Sequence, residues 1–448
     1  MSLLDATGHH TLAERSFKAV WHPCTQMKLH EAAPLVAIAA AQGVWLHGVD
    51  GQRYLDGLSS WWVNLFGHSH PHIRAALVDQ LGRLDHIMLA GLTHEPVVAL
   101  SEKLAALTGL GHACYASDGA CATEIALKMS AHYWRNLGRP EKCLFVGVAG
   151  GYHGETVGAL AVTDIALFRE AYAPLVRLAA TVPSPDARLG APGESAHDVA
   201  ERAAQALAAW LDEHHRRIAA LIVEPLVQCA AGMAMHDTHY LKRARALCDQ
   251  YQVLLVVDEI ATGFGRTGTM FGHQQAGIRP DFICLSKGLT GGTLPLSAVL
   301  TTDAVYDAFY DNRVARGFLH SHSYTGNPLA CRAALATLEL FERTDALVAN
   351  AALAAKISDA LAPLSAHPRV SHARHMGMIW AWDISTTLDD FARRYHQHAL
   401  ALGLLLRPIG HTLYVMPPYV MDDEAIAHLA QSTTAALAAT LAEERRHG

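Results

Sequence analysis

Short apolar runs alternate with amphipathic, alanine-rich stretches through the middle of the chain. The runs at 144–148 (LFVGV), 219–225 (AALIVEP), 253–258 (VLLVVD) and 282–286 (FICLS) are bounded by Gly, Pro or acidic residues. They read as buried strands. Between them, 196–216 and 238–250 carry the apolar spacing of helices. Strands separated by helices predict a mostly parallel sheet covered by helices, an α/β fold. The ends differ. Residues 35–56 predict a hairpin turning at Val49-Asp50-Gly51. Residues 345–448 carry helical Ala/Leu patterns around the strands 377–384 (GMIWAWDI) and 412–418 (TLYVMPP). The expected organisation is a large domain over 62–335 and a smaller α+β domain built from 1–61 and 336–448, with 182–196 as a surface loop.

Composition adds exclusions. The chain has 448 residues, 51% hydrophobic and 17% charged, with a formal charge of −7. That balance points away from nucleic acid or an anionic membrane as partner. No uninterrupted apolar run reaches membrane-spanning length, and the start lacks a basic n-region followed by an apolar one. The expected compartment is the cytoplasm, with the eight cysteines as reduced thiols. Twenty-nine histidines invite a metal reading, above all His68-Ser-His70-Pro-His72. No HExxH accompanies that run, and Gly67 and Pro71 mark it as a turn, so no metal is expected.

Four pieces carry chemistry. Lys287 follows the run FICLS and precedes Gly288. A lysine at the end of a buried strand is partly desolvated, which suits Schiff-base chemistry; taken alone, it reads first as a surface lysine in a glycine-rich loop. Asp258 ends the preceding run. The gap of 287 − 258 = 29 residues fits one strand–connection–strand step, which would bring both side chains to the same sheet edge. A carboxylate there can pair with the protonated pyridine nitrogen of pyridoxal phosphate; alone it is also a helix N-cap. At Ser117-Asp118-Gly119-Ala120 a short strand meets a helical pattern, and exposed N–H groups at a helix start hold phosphate. Gly150-Gly151-Tyr152-His153-Gly154 places an aromatic between glycines, suited to stacking on a planar ligand or simply to a tight turn. Gly263, Gly265 and Gly268 match G-x-G-x-x-G. The segment after them opens a helix poorly, and no acidic-ended strand follows about 20 residues on, so a dinucleotide site is rejected.

In this order, the pieces resemble the class-III aminotransferases of pyridoxal-phosphate fold type I, over about residues 17–435. Most specific are 257–268 (VDEIATGFGRTG) and Ser286-Lys287-Gly288. Finer features resemble the branch that aminates 8-amino-7-oxononanoate to 7,8-diaminononanoate in biotin synthesis: 21–27 (WHPCTQM), 56–62 (DGLSSWW), 151–156 (GYHGET), Leu406-Arg407-Pro408 and Met416-Pro417-Pro418-Tyr419.

The resemblance implies a homodimer with its active sites at the interface, and small-molecule substrates. It implies that Lys287 carries pyridoxal 5'-phosphate, Asp258 meets the ring nitrogen and Tyr152 stacks on the ring. Gly119 and Ala120 would hold the phosphate, completed by His322 and Ser323 from the other protomer. Cys24, Trp61, Trp62, Tyr152, Arg266, Ser321 and Arg407 would form the substrate region, Arg407 gripping the acceptor carboxylate. Three positions depart from the usual pattern: Cys24 replaces a tyrosine, Ala120 replaces a serine, and Ser321-His322-Ser323 replaces Gly-Pro-Thr. The last resembles a branch whose amino donor is lysine. S-adenosylmethionine is the expected donor and lysine the alternative. The rival readings are another class-III ω-amino acid aminotransferase and a pyridoxal-phosphate-binding protein without turnover.

Overall fold

The computed structural model describes residues 11–33 and 35–447. Seven strands form the central sheet: β1 (His112–Ala116), β2 (Leu144–Val148), β3 (Ala180–Val182), β4 (Ile218–Val223), β5 (Leu254–Asp258), β6 (Phe282–Leu285) and β7 (Ser297–Thr301). Their spatial order is β1-β7-β6-β5-β4-β2-β3. β7 runs antiparallel to both neighbours, while the β6-β5-β4-β2-β3 ladders are parallel. All residues of β4, β5, β6 and β7 are buried. That explains why these strands read as continuous apolar runs, without the alternation of a half-wet sheet.

The four anticipated strands and the helices Ala196–His214 and Thr238–Tyr251 all form. The hairpin forms between Trp45–Gly48 and Arg53–Asp56, joined by Ile38–Gln42 and, from the far end of the chain, by Leu404–Leu405. A three-stranded sheet of Val370–Met376, Ile379–Ile384 and Thr412–Val415 carries the rest of the C-terminal segment. The loop expected over 182–196 contains one short 3-10 turn, Ala187–Leu189. The expected boundary at 335/336 falls inside the single helix Pro328–Arg343. The helix Ala346–Ser365 is long and apolar enough to cross a membrane. Lys356 and Asp359 interrupt it, and its Ala354, Ile357 and Leu361 side is buried within the fold.

The three histidines of 68–72 serve local structure. His70 caps the helix Pro71–Leu81, His72 pairs with Glu339 at 2.6 Å and His68 with Asp56 at 2.8 Å.

Candidate active site

Two parallel neighbours bring the chemistry together. Asp258 ends β5 in register with Cys284 of β6, and Lys287 lies just beyond the end of β6. Both therefore emerge at the carboxyl edge of the sheet and line one cavity of about 580 Å³. Tyr152, His153, Gly119, Ala120, Glu224 and Trp62 line it too.

Lys287 Nζ lies 4.8 Å from the centroid of the Trp62 ring and makes no hydrogen bond or ion pair among the described residues. Burial lowers its pKa, opposed by the charges of Cys229, Asp258 and Glu224. An amine in this state is readier to lose its proton and act as a nucleophile.

Asp258 is 3% exposed; its Oδ1 accepts the N–H of Ile260 at 3.0 Å and its Oδ2 lies 2.7 Å from His153 Nδ1. Burial works against a charged His153. The hydrogen bond to Asp258, with the charges of Asp258 and Glu224, nonetheless raises its pKa on balance. Behind it, Glu224 accepts the N–H groups of Tyr152 at 3.0 Å and Cys229 at 3.3 Å. Burial pushes Glu224 up to about 7.

The phosphate-sized end of the cavity is the start of the helix Gly119–Asn136. Asp118 caps it, accepting the N–H of Cys121 at 3.0 Å. The N–H groups of Gly119 and Ala120 make no hydrogen bond among the described residues. Gly154 packs so closely on this turn that an added Cβ would lie 2.5 Å from the Ala120 Cβ. The donor set thus comprises free helix N–H groups, an unpaired amine and a buried carboxylate around one cavity. It fits a planar, phosphorylated pyridine aldehyde.

At the mouth, beside Tyr152 and Glu155 of the lining, stands a second group of Cys24, Trp61 and Arg407, none of which lines the cavity itself. Arg407 Nη2 donates to the Cys24 carbonyl at 3.2 Å, and its guanidinium carbon lies 5.7 Å from the Trp61 ring centroid. The Tyr152 hydroxyl donates to Glu155 at 2.8 Å. Burial raises the Cys24 thiol pKa, with Arg407 pulling the other way. Cys24, Trp61, Trp62 and Lys287 all hold positive φ angles, at 51°, 70°, 74° and 42°. Strained backbone of this kind collects where a side chain must be aimed.

Other expected residues stand elsewhere. Arg266 is 1% exposed and donates to the carbonyls of Pro417 at 2.7 Å and Asn64 at 2.8 Å, beneath Tyr419. In this structure it braces loops and does not line the cavity. Ser321, His322 and Ser323 also lie outside this chain's cavity, with Ser321 and Ser323 exposed. Sequence reasoning missed His153, Glu224 and Asp56. The first two stand beside Tyr152 and at the end of a strand run, signals that were available.

The model of the class-III aminotransferases matches residues 27–437. The chain belongs to that family. Among curated relatives of this class-III chain, the adenosylmethionine-8-amino-7-oxononanoate aminotransferase of Helicobacter pylori is 43% identical, over 93% of this chain and 95% of the relative. The solved enzyme of the same description from Methanocaldococcus jannaschii superposes with a TM-score of 0.89 at 31% identity, covering 96% of this chain and 98% of that one. An amine transaminase from an uncultivated Pseudomonas species, solved in a PLP-bound form, gives 0.89 at 30% identity over 94% and 99%. The class-III chain has fold type I and is a pyridoxal-phosphate-dependent aminotransferase acting on small molecules.

Proposed function

We propose that this aminotransferase moves an amino group to the ketone of 8-amino-7-oxononanoate, giving 7,8-diaminononanoate for biotin synthesis, and that Lys287, Asp258 and Tyr152 are its catalytic residues. The observation that carries the acceptor is the cluster of Arg407, Trp61 and Cys24 at the mouth of the Lys287 cavity. A guanidinium fork over an indole suits a carboxylate on an apolar chain. Relatives named for the same acceptor support it.

When bound, pyridoxal phosphate supplies the electron sink that lets an amino group leave one carbon and join another. Lys287 Nζ is the group that would hold it covalently and, once released, take a proton from the donor's carbon and return it, as general base and acid. Asp258 would hold the proton on the ring nitrogen, with His153 fixing the orientation of that side chain. Tyr152 would cover one ring face, and the N–H groups of Gly119 and Ala120 would receive the phosphate. Arg407 would bind the acceptor's carboxylate, with Trp61 and Trp62 walling its chain.

We further propose a homodimer in which His322 and Ser323 of a second copy complete the phosphate site, with Ser321 near the substrate. Their place outside their own chain's cavity supports this, as do the exposed Tyr310, Val314, Leu319 and Tyr324 on the same segment. Residues 1–61 and 336–448 are proposed to act as one unit, since Leu55 and Asp56 pair with Leu404 and Leu405. A cytoplasmic location is part of the proposal, and the net charge of −7 speaks against nucleic acid or an anionic membrane as partner. S-adenosylmethionine is the proposed donor, weakened by Cys24, and lysine is the alternative.

The test is a panel of amino donors supplied to the purified protein with 8-amino-7-oxononanoate, following diaminononanoate by mass. Product formation with S-adenosylmethionine supports the full proposal. Product from lysine alone removes the donor. No product from any donor, in a protein that transaminates another ketone, removes the acceptor.

A further inference from the structure

Residues Ser59, Ser60, Trp61 and Trp62 have φ angles of 52°, 46°, 70° and 74°. They form one turn of left-handed helix, which L-residues avoid because Cβ crowds the following carbonyl. Four such residues in a row do not hold this form unaided; surrounding structure must impose it.

The restraint is a buried carboxylate. Asp56 is 0% exposed and ends the strand Arg53–Asp56. Its Oδ1 accepts the N–H groups of Leu58 at 3.3 Å and Ser60 at 2.9 Å. Its Oδ2 accepts the Ser60 hydroxyl at 2.7 Å and lies 2.8 Å from His68 Nε2. His68 is held in turn by two backbone bonds to Gly43, of 2.6 and 3.0 Å. From the other side the Ser59 hydroxyl donates to the Met416 carbonyl at 2.8 Å, and Met416 N–H donates to the Gly57 carbonyl at 2.9 Å. A carboxylate removed from water is tolerated only when its oxygens are satisfied, and two of these four donors lie within the turn it clamps, with a third on Leu58 just before it.

The turn ends in two indoles with different tasks. Trp62 is 5% exposed, donates through Nε1 to Tyr414 at 3.1 Å and faces Lys287. Trp61 is 47% exposed and stands at the mouth with Arg407. Relaxing the turn to a right-handed or extended backbone would swing Trp61 away from Arg407. Trp62 has its own anchor in Tyr414, so the mouth should respond before the chemistry does.

We propose that Asp56, oriented by His68, is a positioning residue that keeps the Ser59–Trp62 turn left-handed and thereby aims Trp61 at the acceptor. Neither Asp56 nor His68 lines the cavity, so each acts through the turn. The inference rests on the acceptor reading above.

The test uses the holoenzyme in four forms: wild type, Asp56→Ala, His68→Ala and His68→Gln. Two readouts are taken: acceptor KM against the rate of the donor half-reaction, and near-ultraviolet circular dichroism of Trp61, obtained by subtracting a Trp61→Phe partner of each form. Asp56→Ala should raise acceptor KM on the order of tenfold or more while the donor half-reaction changes by less than about threefold. It should also flatten the Trp61 signal. Ser60→Gly added to Asp56→Ala should recover part of the KM, because glycine enters positive φ without penalty. His68→Gln, which still donates to Asp56, should stay near wild type where His68→Ala does not, and this pair decides the matter should Asp56→Ala fail to fold. An unchanged KM and an unchanged Trp61 signal in folded Asp56→Ala would overturn the proposal, as would equal loss in both half-reactions without rescue by glycine. A wild type that does not use 8-amino-7-oxononanoate defeats the acceptor reading alone, since the Trp61 signal still judges the clamp.

Discussion

His153 Nδ1 lies 2.7 Å from Asp258 Oδ2, with side chains 1% and 3% exposed. A buried carboxyl group needs its oxygens satisfied, and His153 and the Ile260 N–H are the partners of the two Asp258 oxygens. His153→Ala would leave the buried Asp258 Oδ2 without its partner, at a stability cost of about 1–3 kcal/mol. We expect slower turnover with acceptor KM little changed, and partial recovery in His153→Gln. Steady-state kinetics and thermal melts check this, and undiminished turnover in His153→Ala would remove the pair from catalysis.

Both His153 and Glu224 have raised pKa values, so each binds its proton more tightly when folded. Glu224 rises from 4.5 to about 7. The unfolded chain therefore releases that proton first, and stability falls as pH rises from about 4.5 to 7, by on the order of 3 kcal/mol for this group. The His153 contribution has the same sign: it is present below its unfolded value and lost as pH rises through its higher folded value. Melting temperatures of wild type and Glu224→Gln across pH 4.5–8 test this. The Gln variant should show a shallower fall, and parallel curves would contradict it.

The purified protein should be yellow, and borohydride should fix the cofactor on a peptide containing Lys287. Lys287→Ala should lose transamination and that fixed linkage together. A Lys287→Ala protein that still turned over at the wild-type rate would refute the assignment.

Asp258→Asn keeps an oxygen for the Ile260 N–H but cannot hold a proton on a ring nitrogen. Its turnover should drop on the order of a hundredfold or more, with the fold retained. Turnover near wild type would reduce Asp258 to a structural cap.

Arg407→Ala should raise acceptor KM by roughly thirtyfold, the lower end for an arginine–carboxylate pair because its guanidinium is exposed. A donor with no matching carboxylate contact should be nearly unaffected. Cys24→Tyr supplies an aromatic face and should tighten S-adenosylmethionine while leaving lysine turnover unchanged or lower. Competition between the two donors measures both effects.

The strands ending in Asp258 and preceding Lys287 were readable in the chain because a fully buried parallel strand is a continuous apolar run with a clear end. The helix after Asp118 was readable because caps and helical spacing are local. The same locality made Tyr152 between its glycines visible, and it set Asp258 and Lys287 one strand step apart.

Arg266 shows where such reading stops. Its neighbours in sequence belong to a family motif, yet its guanidinium is spent on the carbonyls of Asn64 and Pro417, 202 and 151 residues away. Asp56 was overlooked for the converse reason, since nothing in its immediate surroundings says that it is buried and saturated with donors. The left-handed turn at 59–62 carries no glycine to announce it. Apolar periodicity records which side of an element faces inward. Which polar group meets which, and at what backbone strain, depends on the packing of distant segments and exists only once the chain has folded.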